Sequence, residues 1–188
     1  MKKEKFLRTH HESIIYSEKD WVLLKKKRMD AIKLLEIFNK EGLNPFVYGS
    51  IARGNVHENS DIDIVFTHQI PSFQIEFILN KNGYEKFFRE IILATPSDSI
   101  KLYIHLSELE CITLPISKLD KKSLAFYDFG GKINLTQLKL ELRVAGIDKR
   151  LVLITPTPKG HDEISAIDNE VIATKEVGIS MDVLKERI

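Results

Sequence analysis

The chain has 188 residues, with 28 Lys+Arg against 27 Asp+Glu and a formal net charge of +1. A hydrophobic share of 43% beside 29% charged residues excludes wholesale disorder and sets the expectation of one soluble domain, two at most. Near-neutrality removes global basicity as an argument for nucleic acid, and no apolar run reaches the roughly 18–20 residues of a membrane helix.

Residues 1–16 are polar and aperiodic and read as a loose arm, with room for one short strand or turn of helix. Its basic start, Met1-Lys2-Lys3-Glu4-Lys5, lacks the apolar stretch of a secretory signal, so a cytoplasmic location is expected. Ser17 ahead of Glu18 and Asp20 has the form of a helix start: a hydroxyl for free N–H groups, then acids in the positive first turn. The helix should run to Glu41, with Gly42 ending it. Its buried stripe at helical spacing is Trp21, Leu24, the stem of Arg28, Ala31, Leu35 and Phe38. Lys25, Lys26, Lys27 and Arg28 form a basic run, readable as a solvated face or as a contact to RNA or DNA phosphates. Asn44-Pro45 marks a turn, Phe46-Val47-Tyr48 a short strand, and Ile62-Asp63-Ile64-Val65-Phe66 a second one. Pro71 opens a helix over 72–80, with apolar Phe73, Phe77 and Ile78, closed by Asn82-Gly83. Strands are expected at 86–92, 100–106 and 109–114, a turn at Gly130-Gly131, a helix over 136–145 and a buried strand at 150–154. Pro156, Pro158 and Gly160 then make a loop, and 162–188 is polar and helical in pattern. The division expected is a domain over 17–158 and a small helical appendage over 162–188.

Chemistry concentrates in Phe46-Val47-Tyr48-Gly49-Ser50-Ile51-Ala52-Arg53-Gly54 and, after a polar return, Ser60-Asp61-Ile62-Asp63-Ile64-Val65. Strand alternation puts Asp61 and Asp63 on one face, about 6–7 Å apart at Cα, with Ile62 and Ile64 in the core. Carboxylates at that spacing can bracket a pair of divalent ions, and a bound cation relieves their mutual repulsion. A glycine at 49 lets a phosphate approach the backbone, and the Ser50 hydroxyl and N–H can donate to it. Arg53 offers a planar fork for two phosphate oxygens. Each piece alone has a plain structural reading, a turn or a solvated strand face; their order along the chain is the specific signal.

That stretch resembles the signature of the DNA polymerase β-like nucleotidyltransferase superfamily, nearest its minimal nucleotidyltransferases. The matching residues are Gly49-Ser50, Arg53-Gly54 and Ser60-Asp61-Ile62-Asp63. Ala94-Thr95-Pro96, 126–131 and 149–161 are similar to an uncharacterised archaeal group of predicted nucleotidyltransferases. The resemblance implies an α+β nucleotidyltransferase fold, a mixed β-sheet flanked by helices. It implies Mg²⁺ or Mn²⁺ on the aspartates and transfer of a nucleoside monophosphate from an NTP, ATP being the first choice. The acceptor is left open among RNA, protein and small molecule. Gly49, Ser50 and Arg53 would bind nucleotide, and Asp61, Asp63 and a third acid would hold metal and act catalytically. Glu110, between Leu109 and Cys111, is the best local fit for that third acid, with Glu108 next. Without it, the general-base role passes to substrate or water. The alternative is a regulatory module that binds nucleotide or a partner without turnover, antitoxin-like or DNA-binding. A related possibility makes a tyrosine of a partner protein the acceptor.

Other residues carry plainer readings. His10-His11 is expected to be solvated; His57 touches phosphate or lies in an exposed loop. Lys101 and Lys159 are surface lysines or phosphate contacts, Cys111 a packed core residue, Trp21 a packing residue, and His161 has no assigned role. Val171-Ile172-Ala173-Thr174-Lys175-Glu176-Val177-Gly178-Ile179-Ser180 resembles the start of a helix-turn-helix, with Ser180 capping a second helix over 181–188. Thr174 stands where such motifs prefer alanine. Asp182 and Glu186 balance Lys185 and Arg187, so packing or dimerisation competes with DNA contact.

Overall fold

Ser17 opens the longest helix, α1 (Glu18–Asn39), through a capping box in which its hydroxyl and the Asp20 side chain satisfy each other's backbone N–H groups. The architecture is that of a computed structural model, which describes residues 11–93 and 99–188. The stretches Met1-Lys2-Lys3-Glu4-Lys5 and Ala94-Thr95-Pro96, and His10, lie outside those residues. After α1 come β2 (Phe46–Tyr48), α2 (Ser50–Arg53), β3 (Ile62–Val65), α3 (Ser72–Lys81), β4 (Phe88–Ile92), β5 (Lys101–Ser107) and β6 (Glu110–Pro115). Then follow α4 (Lys121–Gly130), β7 (Lys132–Asn134) and α5 (Leu135–Lys139). These strands form a six-stranded sheet in the order β4-β5-β6-β3-β2-β7. Only β3 and β6 run parallel; the other neighbours are antiparallel, so the sheet is mixed as expected.

α1 buries Leu24, Ala31, Leu34, Leu35, Ile37 and Phe38 on one stripe. That stripe meets Ile64, Phe66, Ile104 and Ile112 from the sheet and Ile75, Ile78 and Leu79 from α3 in one continuous core. Phe38 and Phe66 cross edge to face with centroids 5.3 Å apart. Trp21 lies only part-buried, against Tyr16. In α3 the expected apolar residues divide: Ile78 is buried, whereas Phe73 and Phe77 stand in solvent.

A second sheet, order β1-β10-β9-β8, is antiparallel throughout: β1 (His11–Ile15), β8 (Gly146–Ile147), β9 (Val152–Thr157) and β10 (Gly160–Ser165). Two expectations are decided by it. Within the arm the short-strand alternative holds: 11–15 is an edge strand in register with β10 along its whole length. The tract expected to be helical from Asp162 begins as strand, because β10 turns polar His161, Glu163 and Ser165 inward, which hydrophobic periodicity cannot register. A Cβ on Gly160 would meet the Ile14 carbonyl oxygen at 1.9 Å, so the hairpin turn needs a glycine for β1 to approach.

The helix expected over 136–145 stops at Lys139. Tertiary partners take the following segment: Val144 N–H donates to the Ala52 carbonyl at 3.3 Å, and the Arg143 guanidinium donates to the carbonyls of Thr157 and Gly160. The chain closes with α6 (Glu170–Val177) and α7 (Met181–Lys185), joined through Gly178 and capped by Ser180 as expected. Ala173 and Leu184 from these helices pack with Phe129, Ile147, Leu153 and Ala166 in a second core. The α7 face that a DNA-reading helix would present is thus partly spent on packing, and the helix is 5 residues long.

Candidate active site

β2 ends at Tyr48 and the chain must reverse at once. Gly49 does this with φ 78° and ψ −138°, a conformation closed to side-chain-bearing residues. Its N–H donates to the Gly131 carbonyl at 2.9 Å, and its carbonyl accepts from Arg53 N–H at 3.0 Å, forming the single turn α2. One turn is too short to carry a macrodipole of consequence, so with the Gly49 N–H taken by Gly131 the turn offers discrete donors: the Ser50 N–H and hydroxyl. α2 is held from behind by Arg28, buried on α1, whose guanidinium donates to the Ile51 and Ala52 carbonyls at 3.0–3.2 Å. The basic run is therefore not a wholly solvated face: Lys25 and Lys26 are exposed, but the other two members have partners within the protein. Arg28 points inward, and Lys27 donates to the Ser60 carbonyl at 2.7 Å.

That second bond fixes the return loop. The Ser60 hydroxyl accepts from His57 N–H at 2.9 Å and is buried, so Asp61 leaves a pinned residue and enters β3 in a set orientation. Asp61 and Asp63 then share a cleft of about 780 Å³ with Gly49, Ser50, His57 and Asn59. Burial, then the neighbouring Asp61 charge, pushes the Asp63 carboxyl up to about 6, with His105 and Lys149 acting in the opposite direction. The cleft thus concentrates negative charge in a partly desolvated place, the condition under which a cation gains most.

Two expected residues stand elsewhere. Glu110 lies opposite Ile62 in the parallel β3–β6 register, so its side chain belongs to the other face of the sheet from Asp63. It lines a separate hollow of about 590 Å³ with Lys26, Lys27 and Asp30. Glu108 is exposed in the β5–β6 turn. The position facing Asp63 is Cys111, whose thiol burial pushes up to about 12, and beyond it His105, which is bonded to Glu90 at 3.0 Å. Arg53 borders the cleft but is buried, with Nε donating to Asn55 Oδ1 at 3.1 Å and another nitrogen to the Gly130 carbonyl. Its fork braces α2 against the β7 end of the sheet and is not presented to a phosphate. Lys101 sits over the Phe126 and Tyr127 rings, and Lys159 is exposed in the β9–β10 turn.

The second sheet forms the cleft's other wall; of it, sequence reading anticipates the buried strand at 150–154 but not its place beside the acids. Its β8–β9 turn brings Asp148, Lys149 and Arg150 to the cleft. Arg150 is tied to Asp148 and Glu163, each at 2.7 Å; Lys149 makes no ion pair among the described residues and carries its charge toward Asp63. Behind the turn, Glu163 lies 3.3 Å from His161 Nε2, His161 Nδ1 lies 2.7 Å from the Tyr16 hydroxyl, and that hydroxyl donates to the Gly54 carbonyl at 2.9 Å. Burial holds His161 below the ordinary imidazole range, against the pull of Glu163. The residue with no assigned role is therefore a link between the two walls. Charged turn residues between strands are ordinary, and only the hairpin's placement distinguishes Lys149.

A family model described as nucleotidyltransferase domain matches residues 31–127, from the middle of α1 to α4. No curated protein and no solved structure matches the chain.

Proposed function

Since the chain belongs to the nucleotidyltransferase domain family, we propose that it transfers a nucleoside monophosphate from an NTP, ATP as first choice, to an acceptor hydroxyl. The observation that carries this reading is the convergence of Asp61, Asp63, Gly49, Ser50 and Lys149 on one cleft. Two adjacent carboxylates are hard oxygen donors suited to Mg²⁺ or Mn²⁺, which keep several coordination positions for water and phosphate. Burial, and after it the Asp61 charge, raises the Asp63 carboxyl, and such an ion would relieve both. Asp61 and Asp63 would hold the metal. When bound, it supplies positive charge opposite the phosphate oxygens of the transferring and leaving groups.

The remaining work falls to the chain. The Ser50 hydroxyl and backbone N–H donate to the β- and γ-phosphates, which the absence of a side chain at Gly49 lets approach, and Lys149 offsets their charge from the opposite wall. Arg28 and Arg53 hold α2 in place. The acceptor oxygen attacks the α-phosphorus, the bond from that phosphorus to the bridging oxygen breaks, and pyrophosphate leaves. The acceptor proton passes to solvent or to the substrate's own phosphate, because Glu110 stands on the far face of the sheet.

One observation favours a second reading. Cys111 occupies the register position facing Asp63, and a two-carboxylate cleft is also suited to holding a nucleotide without turning it over. A transfer assay with four α-labelled NTPs, Mg²⁺ or Mn²⁺ and a cellular RNA-plus-protein extract separates the two. Metal-dependent label on an acceptor, lost by at least about a hundredfold in Asp61→Asn and Asp63→Asn, supports transfer. Nucleotide binding that needs both acids, with no label moved, supports the binding module. Wild-type transfer by both variants overturns the metal assignment.

A further inference from the structure

We propose that the free edge of the six-stranded sheet is a dimerisation face, where a second copy of this chain adds its own β4 antiparallel to β4. Among the described residues β4 has one strand neighbour, β5, and its outer backbone groups are unpaired within the sheet. Natural edges are guarded by charge, proline or a covering element. Here the charged side chains of β4 are held by partners within the protomer: Arg89 pairs with Glu76 of α3 at 2.7 Å, and Glu90 is hydrogen-bonded to His105 at 3.0 Å. The strand contains no proline.

Around this edge lies an apolar surface. Strand alternation puts Phe87, Ile91 and Leu93 on the face of Arg89, and the Arg89–Glu76 pair sets that face beside α3. Phe73 and Phe77 flank Glu76 on one helical stripe. These five side chains are between 50% and 73% exposed. At their sizes they offer about 600 Å² of apolar surface per protomer, and about 1,200 Å² for a pair, the lower bound of a stable specific interface. The Arg89–Glu76 ion pair at its centre leaves no unpaired charge on this face, among the described residues, for a charged partner to read. A partner must supply both a strand edge and apolar side chains, and a second copy has both.

Electrostatics selects the register. A two-fold axis normal to the sheet allows pairings centred on one residue. Centring on Arg89 or Glu90 sets like charges directly opposite, which is destabilising. Centring on Ile91 pairs Ile91 with its symmetry mate, Glu90 with the other copy's Ile92, and Arg89 with its Leu93.

Sedimentation velocity on the full chain, from nanomolar to high micromolar, tests this. The expected species at high concentration has twice the 21.7 kDa chain mass. Ile91→Lys, an exposed edge substitution, should weaken association roughly tenfold or more. Amide exchange supplies the second readout. The amides of 89–93 should slow with concentration in wild type and not in Ile91→Lys, while β3 amides stay equally protected in both, showing that the variant is folded. In a Cys111→Ser background, Ile91→Cys should cross-link to itself on oxidation and Glu90→Cys should not. A chain monomeric throughout, a dimer indifferent to Ile91→Lys, or a monomer whose 89–93 amides are already protected by its own chain each overturns the proposal.

Discussion

Asp63 is the residue on which the site's electrostatics turn. Its carboxyl titrates near 6 in the folded chain, against about 3.9 for an unperturbed aspartate, so between those values the folded state binds the extra proton. The stability this group contributes is therefore greatest below about pH 4 and is lost as pH rises through 6, up to about 3 kcal/mol in the metal-free protein. Asp63→Asn removes the penalty. Its melting temperature without metal should exceed that of wild type at pH 7.5, with the gap closing near pH 4. Mg²⁺ should raise the wild-type melting temperature at pH 7.5, far less at pH 5, and leave Asp63→Asn unmoved. A wild-type melting curve indifferent to millimolar Mg²⁺ and Mn²⁺ at pH 7.5 would remove Asp63 from the metal site.

At the level of elements, the site is a short turn held by a long helix. α2 has 4 residues and could not persist alone; Arg28 ties the carbonyls of Ile51 and Ala52 to α1. Arg28→Met keeps the apolar stem and strands both buried acceptors, which should cost about 3 kcal/mol in urea unfolding. Arg28→Leu shortens the stem as well and should cost more. Equal stability of Arg28→Met and wild type would refute the brace. The same helix shows what was legible beforehand. Its cap at Ser17, its stripe, the Gly49-Ser50 turn and the Asp61/Asp63 alternation follow from local chemistry and period, and the structure brings the last two to one cleft. Arg28 reads as a buried stem within a basic run, because nothing local reveals what a buried guanidinium bonds. Glu110 was misread by one position: flanking apolar residues mark a strand, but the face a side chain takes depends on register with β3, which is a non-local quantity. β10 was missed because its inward residues are polar.

Across the whole molecule, the family match ends at residue 127, yet one wall of the cleft is built by β8, β9 and β10 beyond it. The β8–β9 turn holds Lys149 against the negative pair, and the chain of contacts from Glu163 through His161 and Tyr16 to Gly54 joins that wall to α2. An exposed lysine with no ion-pair partner among the described residues, facing carboxylates across a cleft, costs little before nucleotide binds. Once a triphosphate enters, its charge is opposed from both sides. Lys149→Ala should therefore weaken NTP binding about tenfold at low salt, the equivalent of about 1.4 kcal/mol. The deficit should shrink as ionic strength rises, since the contact is solvent-facing and screened. The same variant should move the Asp63 carboxyl further up, because Lys149 is one of the charges holding it down, which a carbon-13 carboxyl titration reads directly. Weaker NTP binding with an unchanged Asp63 titration would place Lys149 on the phosphates but away from the acids. Unchanged values for both would confine the nucleotide to the first sheet, leaving the second as scaffold.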